Sequence, residues 1–530
     1  MTWTPTPEQG SICDAVGRAK GSVMVEAGAG CAKSSTLELA AQLVRVPALG
    51  LAFNKRIASD LASKVPSNFT IKTMNGLGHM AWARAIPGVS LRLEDRKIGK
   101  LVTQVAKDRK VDLSSDQWDG LRQLVGRAMQ EGLVPQVDPC AANTLVPDTE
   151  AGWSICSDAI GLGSDDHQLL WELAREVLVE SNRLARLGTI SFDDQVYASV
   201  MLGGRFPKFP VVMVDEDQDL SPLNIRMLEL ASREDGRVIA VGDKRQAIYA
   251  WRGAAGDSAE RIRALRPAAD WGDFPLMTTF RCPKLVVERQ REHVPLFRAW
   301  HGNADGRVVQ LPLQKGSSPG FMGGSEYSWS WTDLAELVPG DGTGLAILCR
   351  NNAPLLSLAF KLLRRQIGCH MLGRDIGRGL VALARKIAPE DGLAADLVAG
   401  AISQWRDREV ALAQANQASE ARIDSIHDRA ECLQAVLQST ECRDAGGLRS
   451  MLERLFARTD GLVTLSSIHR AKGLEWPCVL HLDPWRPRVW AKRAAAKGDL
   501  VQVEQERNLE YVCETRTKDV LVLGNLEDFE

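Results

Sequence analysis

A chain of 530 residues is too long for one hydrophobic core, and its 45% hydrophobic and 25% charged content is that of a water-soluble globular protein with roughly three or four structural units. A formal net charge of −2 neither demands nor excludes a nucleic-acid partner, because a local basic channel suffices for phosphate binding. The sequence has no twenty-residue apolar run, its Met1-Thr-Trp-Thr-Pro start is no signal peptide, and its 11 cysteines form no C-x-x-C pair, so a membrane span, a zinc module and a disulfide framework are not expected and a cytoplasmic chain is.

Thr4-Pro-Thr-Pro-Glu-Gln9 precedes a helix expected over Gly10 to Lys20. The Gln9 amide offers one donor and one acceptor, the complement of an adenine edge. Val23 to Val25 suits a buried parallel strand, Ala27 to Ala32 is a small-residue turn, and Leu37, Ala41 and Val44 then recur at helical spacing. This order aims the backbone N–H groups of Gly28, Ala29, Gly30, Cys31 and Ala32 at a helix N-terminus, where partial positive charge suits a polyphosphate. Lys33 is placed to neutralise outer phosphates and the Ser34 hydroxyl to coordinate Mg²⁺, with Ser35 next in the first helical turn. The pattern GxxxxGK[ST] is not met literally, because Ala27 and Ala32 occupy its glycine positions. A left-handed backbone at Ala32 would cost about 1–2 kcal/mol, and a helical one little.

A second strand, Ala48 to Lys55, ends in Phe53, Asn54 and Lys55, and a helix is expected over Arg56 to Lys64. Ligands gather at the carboxyl ends of parallel strands, which places these three residues where a substrate lies, although Phe53 is equally suited to the core. A third strand, Thr70 to Thr73, leads into Met74-Asn75-Gly-Leu-Gly-His79, another polar strand end. From about Leu91 to Leu187 the pattern is helical, with Pro135 to Asp166 as a loop-rich middle. The sheet resumes at Pro210-Val-Val-Met-Val-Asp-Glu-Asp-Gln-Asp219. Neighbouring strand residues point to opposite faces, so Asp215 and Glu216 share a site only where the strand is ending. There Asp215 suits holding Mg²⁺, and Glu216 suits orienting and deprotonating a water. Arg237 to Asp243 is a further strand, followed by Gln246 and by Trp251 beside Arg252, a base-stacking platform with a phosphate contact.

The phosphate loop, Asp-Glu-x-Gln-Asp (215 to 219) and Val-Gly-Asp-x-x-Gln-x-Ile-Tyr-x-Trp-Arg-Gly-Ala (241 to 254) together resemble the UvrD/Rep-type superfamily 1 DNA helicases. Later blocks extend the resemblance from Gln9 to about Phe529. Met277-Thr-Thr-Phe-Arg-Cys282 looks like the family's fourth motif, which makes Phe280 the adenine-packing aromatic and Arg281 a γ-phosphate arginine. Arg350, Asn352 and Ala353 match a further block after the strand Gly344 to Cys349. Ser467-Ile-His-Arg-Ala-Lys-Gly-Leu-Glu-Trp-Pro477 is similar to the fifth motif, implying DNA-backbone contacts at His469 and Lys472 and a ribose or DNA contact at Glu475. Glu506 to Arg516 looks like the sixth, with Arg516 a second arginine finger; Glu514 carries a charge where the family commonly has a small or apolar residue. Trp485 to Arg493 interleaves aromatics and cations in an expected loop, suited either to nucleic acid or to solvent.

The resemblance implies an α/β fold of two RecA-like P-loop NTPase domains, each with a mainly helical insertion. Residues 1–90 and 188–270 form the first domain and 91–187 its insertion; 271–376 and 461–530 form the second, with 377–460 a short insertion. It further implies ATP and Mg²⁺ as cofactors and an ATP-dependent helicase or translocase moving 3′ to 5′ on single-stranded and tailed duplex DNA. Phe53, Asn54, Lys55, Thr73, Asn75, Trp251, Arg252, His469 and Lys472 are then its DNA contacts. Two other readings stand beside it. One is a translocase that displaces proteins or remodels DNA without strong unwinding, prompted by the short second insertion. The other is a non-hydrolysing DNA-binding subunit of a larger complex, prompted by Ala32.

Overall fold

The computed structural model describes residues 5–18, 20–52, 55–160, 162, 167–248, 257–311, 344–364, 367–415, 420–438, 442–457, 463–496 and 498–529. They group into two compact units, Met1–Ala27 with Ala32–Met277, and Gly28–Cys31 with Thr278–Glu530. No helix among the described residues is long and apolar enough to cross a membrane.

The first unit is built on a six-stranded parallel sheet of β1 (Ser22–Ala27), β2 (Ala48–Ala52), β3 (Phe69–Thr73), β4 (Phe209–Asp215), β5 (Ser232–Gly242) and β6 (Trp271–Leu276), in the order β3-β2-β4-β5-β1-β6. Val23 and Val25 on β1 and Val211 to Val214 on β4 are buried, the continuous apolar run that a sheet covered on both faces requires. Helices α1 (Pro7–Gly17), α2 (Lys33–Ala41) and α3 (Met74–Ala85) precede and follow the first strands. Thr6 opens α1 with a capping box: its hydroxyl accepts from Gln9 N–H, while the Gln9 side chain accepts from Thr6 N–H.

Strand β6 pairs with β1 along its whole length, from Ser22 opposite Trp271 to Ala27 opposite Leu276. This edge strand lies in the first unit, whereas the sequence reading opens the second domain at residue 271. Pro275 hides it: proline cannot donate to a ladder, and an edge strand is where that loss is tolerated.

Helices Lys97–Asp108, Ser115–Gln130, Glu150–Ile160 and His167–Arg186 fill the first insertion. The two-residue strands Arg92–Leu93 and Thr189–Ile190 pair with each other and so clamp its entry and exit. Within the stretch expected to be loop-rich, residues 150–160 are helical. Helix Glu150–Ile160 buries Trp153, whose indole N–H donates to Asp148 at 2.7 Å. Leu121, Leu124, Leu170 and Val177 share one core with Leu49, Leu51 and Val212 of the sheet, so the insertion is packed onto the domain that carries it.

The second unit repeats the plan with β7 (Arg307–Gln310), β8 (Leu345–Cys349), β9 (Cys369–Met371), β10 (Val463–Ser467), β11 (Trp476–Leu482) and β12 (Thr517–Gly524), all parallel, in the order β7-β12-β11-β8-β10-β9. Its helices include α4 (Lys284–Gln290), α5 (Asn352–Arg364), α6 (Trp485–Ala496) and α7 (Leu500–Glu514). The second insertion supplies helices Arg374–Ile387, Ala395–Ala415, Glu420–Leu437 and Ala445–Ala457. Their Val398, Ile402, Leu433 and Leu452 join Ile347, Leu355 and Leu465 in a single core. Asp428, from that insertion, accepts from the backbone N–H groups of Asn352 (3.0 Å) and Ala353 (2.9 Å) and so caps α5.

The block 485 to 493 is helical, not a loop. Pro487 sits in the first turn of α6, where its missing N–H costs no intrahelical bond.

Candidate nucleotide site and nucleic-acid interface

Strand β1 delivers the chain into the phosphate loop, where Gly30 has φ 70° and Ala32 φ 60°, ψ 41°. Ala32 is thus left-handed, at the N-cap of α2, and gives no side-chain cap. The helix start is instead braced by Thr36: its backbone N–H and its hydroxyl both donate to Ala32 O at 2.9 Å. Gln9, fully buried, donates through Nε2 to the Thr36 hydroxyl at 3.0 Å. One end of the Gln9 amide therefore caps α1 and the other braces the residue that supports the loop.

Strand β4 ends at Asp215, and Glu216 follows in a left-handed conformation (φ 57°, ψ 48°), which turns two successive carboxylates to one side. Ser34 Oγ donates to Asp215 Oδ2 at 3.4 Å, and Lys33 Nζ lies 3.4 Å from Glu216 Oε2. Gln218 bridges the next strand: its Nε2 donates to Glu216 Oε2 at 2.6 Å, and its Oε1 accepts from Asp243 N–H at 2.9 Å. Gln246 Nε2 donates to Asp243 Oδ2 at 2.7 Å. Gly242 has to be glycine, because a Cβ there would run into Asp217 Oδ1.

Burial, with Glu216 alongside, pushes Asp215 up to about 7 against the pull of Lys33. Asp217 rises to about 7 for the same reasons. Hard oxygen donors, a hydroxyl beside a buried carboxylate that resists ionising alone, fit Mg²⁺, whose charge would favour the ionised form.

Within the second unit, Arg281 Nε donates to Glu475, which also pairs with Lys518. Partial burial pushes the Glu475 carboxyl up, but Lys518 and Arg281 outweigh it and hold the group below the usual range. The Phe280 ring lies 5.9 Å from that of Trp300, and the Asn303 amide ties down the carbonyls on either side, Thr279 O (2.8 Å) and Cys282 O (2.9 Å). Arg516 follows α7 and is 1% exposed; its guanidinium donates to Val512 O (2.9 Å), Leu474 O (3.4 Å) and Thr515 Oγ1 (3.3 Å).

Of the residues read as DNA contacts, Phe53, Asn54, Trp251 and Arg252 lie outside the described residues. Lys55 is exposed at the start of helix Lys55–Ala62, and the Thr73 hydroxyl caps α3 by accepting from Gly76 N–H. Asn75 Nδ2 donates to Phe192 O at 3.0 Å, which sets beside the β3 strand end a phenyl ring that is 57% exposed. Phe192, an isolated aromatic in Ile-Ser-Phe-Asp-Asp, has no motif or periodicity that marks it. His469 and Lys472, half-buried, lie on and just after the short helix Ile468–Ala471.

Arg350 and Asn352 are held by internal acids. Arg350 forks onto Glu506 at 2.8 and 2.6 Å, and the Asn352 amide donates to Asp428 at 3.1 Å. In α6, the Trp490 ring is faced by the guanidinium groups of Arg350 (4.7 Å) and Arg493 (4.8 Å). Glu514 is fully buried, accepts from Arg289 Nε (2.7 Å), Arg289 Nη2 (3.1 Å) and Gln290 Nε2, and lies 3.5 Å from His481 Nδ1. That arrangement accounts for a charge which the motif alone leaves unexplained.

A left-handed loop at the end of a central parallel strand, a Lys-Ser pair opening the next helix, and paired acids ending another strand of the same sheet define a P-loop NTPase with two RecA-like α/β units. Residues 7–263 match the UvrD/REP helicase N-terminal domain and residues 412–527 the UvrD-like helicase C-terminal domain. The chain belongs to the UvrD/Rep family of superfamily 1 helicases. It is 26% identical to the ATP-dependent DNA helicase UvrD2 of Mycobacterium tuberculosis over 570 aligned positions, covering 96% of this chain and 77% of that one. It is 20% identical to the ATP-dependent DNA helicase PcrA of Staphylococcus epidermidis over 65% of this chain and 60% of that one. A 128-residue stretch, 22% of this chain, is 34% identical to 11% of the RecBCD enzyme subunit RecB of Mycolicibacterium smegmatis.

Proposed function

We propose that this chain hydrolyses ATP to step along single-stranded DNA in the 3′ to 5′ direction and to separate the strands of a tailed duplex. The observation that carries the reading is the constellation of Lys33, Ser34, Asp215, Glu216 and Gln246 around one strand-to-helix loop. In it the loop N–H groups and Lys33 hold the outer phosphates, and Ser34 with Asp215 would hold Mg²⁺, which when bound would supply positive charge against the triphosphate. Glu216 takes a proton from a water whose oxygen attacks the γ-phosphorus, while the β–γ bridging oxygen leaves with ADP. Arg281 and Arg516 meet the charge that develops on the phosphoryl oxygens, with Phe280 against the adenine and Glu475 at the ribose. Phe192 adds to the expected DNA contacts: an aromatic face open by more than half suits sequence-tolerant base stacking.

One observation favours a second reading, translocation that displaces bound protein without strong unwinding. The four helices of the second insertion share the core of their sheet and so are built into the unit. ATP-driven separation of duplexes bearing a 3′ or a 5′ tail, run beside displacement of streptavidin from biotinylated single strands, tests both. Separation confined to 3′-tailed duplexes supports the first reading. Streptavidin displacement without separation supports the second, and activity confined to 5′ tails overturns the polarity.

A further inference from the structure

We propose that Glu514 is a positioning residue that locks the segments carrying Arg281 and Arg516 into one register, so that both guanidinium groups meet the same triphosphate. The inference rests on the reading above that these arginines act on phosphate. Glu514 ends α7 and stands two residues before Arg516. Its main partners, Arg289 and Gln290, close α4, the helix that begins three residues after Arg281. A second link joins the same segments, since Cys282 Sγ donates to Thr515 O at 3.6 Å. Both arginine-bearing stretches are therefore pinned together immediately beside the residues that matter.

The pin belongs to a ladder. Glu506, Glu510 and Glu514 recur at four-residue spacing along one face of α7, all buried, and each meets an arginine from a different element: Arg350 after β8, Arg488 on α6 and Arg289 on α4. Stability alone is a poor reason for such a pair. Burying a carboxylate is costly, and an apolar side chain of similar volume commonly serves as well or better. What a planar guanidinium forked onto a carboxylate adds is direction, because two parallel bonds fix an angle that hydrophobic contact leaves loose. Direction matters here, since a displacement of about 1 Å in a reacting group can cost on the order of 10²-fold in rate.

The test uses the full chain with Glu514→Leu, which supplies an apolar residue, and Arg289→Gln, which breaks the same link from its partly exposed side; near-UV circular dichroism identifies which variants retain the native fold. Affinities are measured for ADP alone and for ADP with aluminium fluoride, a mimic of the transferring phosphoryl group, together with kcat for ATP. The expected result is ADP affinity within about twofold of wild type, with kcat and the aluminium fluoride complex weakened by roughly 10- to 100-fold in each folded variant. Folded variants with unchanged kcat overturn the proposal, as does parallel loss of ADP and ADP–aluminium fluoride binding. Arg281→Ala and Arg516→Ala in the same assay keep the two levels apart. If neither alters hydrolysis, the phosphate reading itself fails; if both do while Glu514→Leu does not, only the positioning role fails.

Discussion

Ala32→Gly should stabilise the phosphate loop without creating an activity that was missing before. Ala32 sits at φ 60°, ψ 41°, where its methyl group crowds the backbone at a cost of about 1–2 kcal/mol. Glycine removes that strain but gives back about 0.4–1 kcal/mol through the greater freedom of the unfolded chain. The difference is a net gain of about 1 kcal/mol, close to a fivefold change in an opening equilibrium. Native-state hydrogen exchange read by mass spectrometry on peptides from β1 and α2 measures it directly, because Thr36 N–H is bonded to Ala32 O and reports opening at that turn. Slower exchange by about fivefold is expected, with ATP turnover of the natural chain already present and changed little by the substitution. Faster exchange in Ala32→Gly would refute the strain argument. A rise in ATP turnover from nothing would show instead that the Ala32 methyl group blocks phosphate binding.

Phe192→Ala should depress stimulation of ATP turnover by single-stranded DNA while sparing the basal rate, since a base–aromatic stack is worth about 1–3 kcal/mol; titration with oligothymidylate measures both, and equal loss of both rates would remove Phe192 from the interface. Acid unfolding should report on Glu514. Burial pushes its carboxyl up, but His481 and Arg289 outweigh that and hold it below the ordinary range, so its contribution is fully present above about pH 4.3, the usual unfolded value, and is lost as pH falls through the folded value. Glu514→Gln should therefore lower stability near neutrality and flatten its acid dependence in urea titrations at a series of pH values, and a variant with an unaltered acid dependence would contradict this.

How much of this was legible beforehand depended on how local each signal is. Val211 to Val214 followed by Asp215 and Glu216 reads as a buried strand ending in acids because every part of the pattern lies within six residues. The sequence also posed the question at Ala32, but only the backbone could answer it, since either a left-handed or a helical residue fits the same letters. Strand β6 is not legible in sequence because Pro275 argues against a strand unless its place at the sheet edge is known. The arginine and tryptophan block at 485 to 493 is helical where a loop is expected, because Pro487 punctuates loops and helix starts alike. Glu514 has no explanation in its sequence neighbours, as Arg289 is 225 positions away and only the fold brings the two together. Phe192 carries no periodicity, and its exposure follows from the fold.

The most direct measurement is ATP turnover by the natural chain and by Glu216→Gln, each with and without single-stranded DNA, alongside the binding of a fluorescent ATP analogue. A general base contributes about 10²–10⁴ in rate, so DNA-stimulated turnover should fall by at least about 10² in Glu216→Gln while nucleotide binding persists. Turnover that survives the substitution, or a natural chain that binds ATP and never hydrolyses it when DNA is present, would contradict the account.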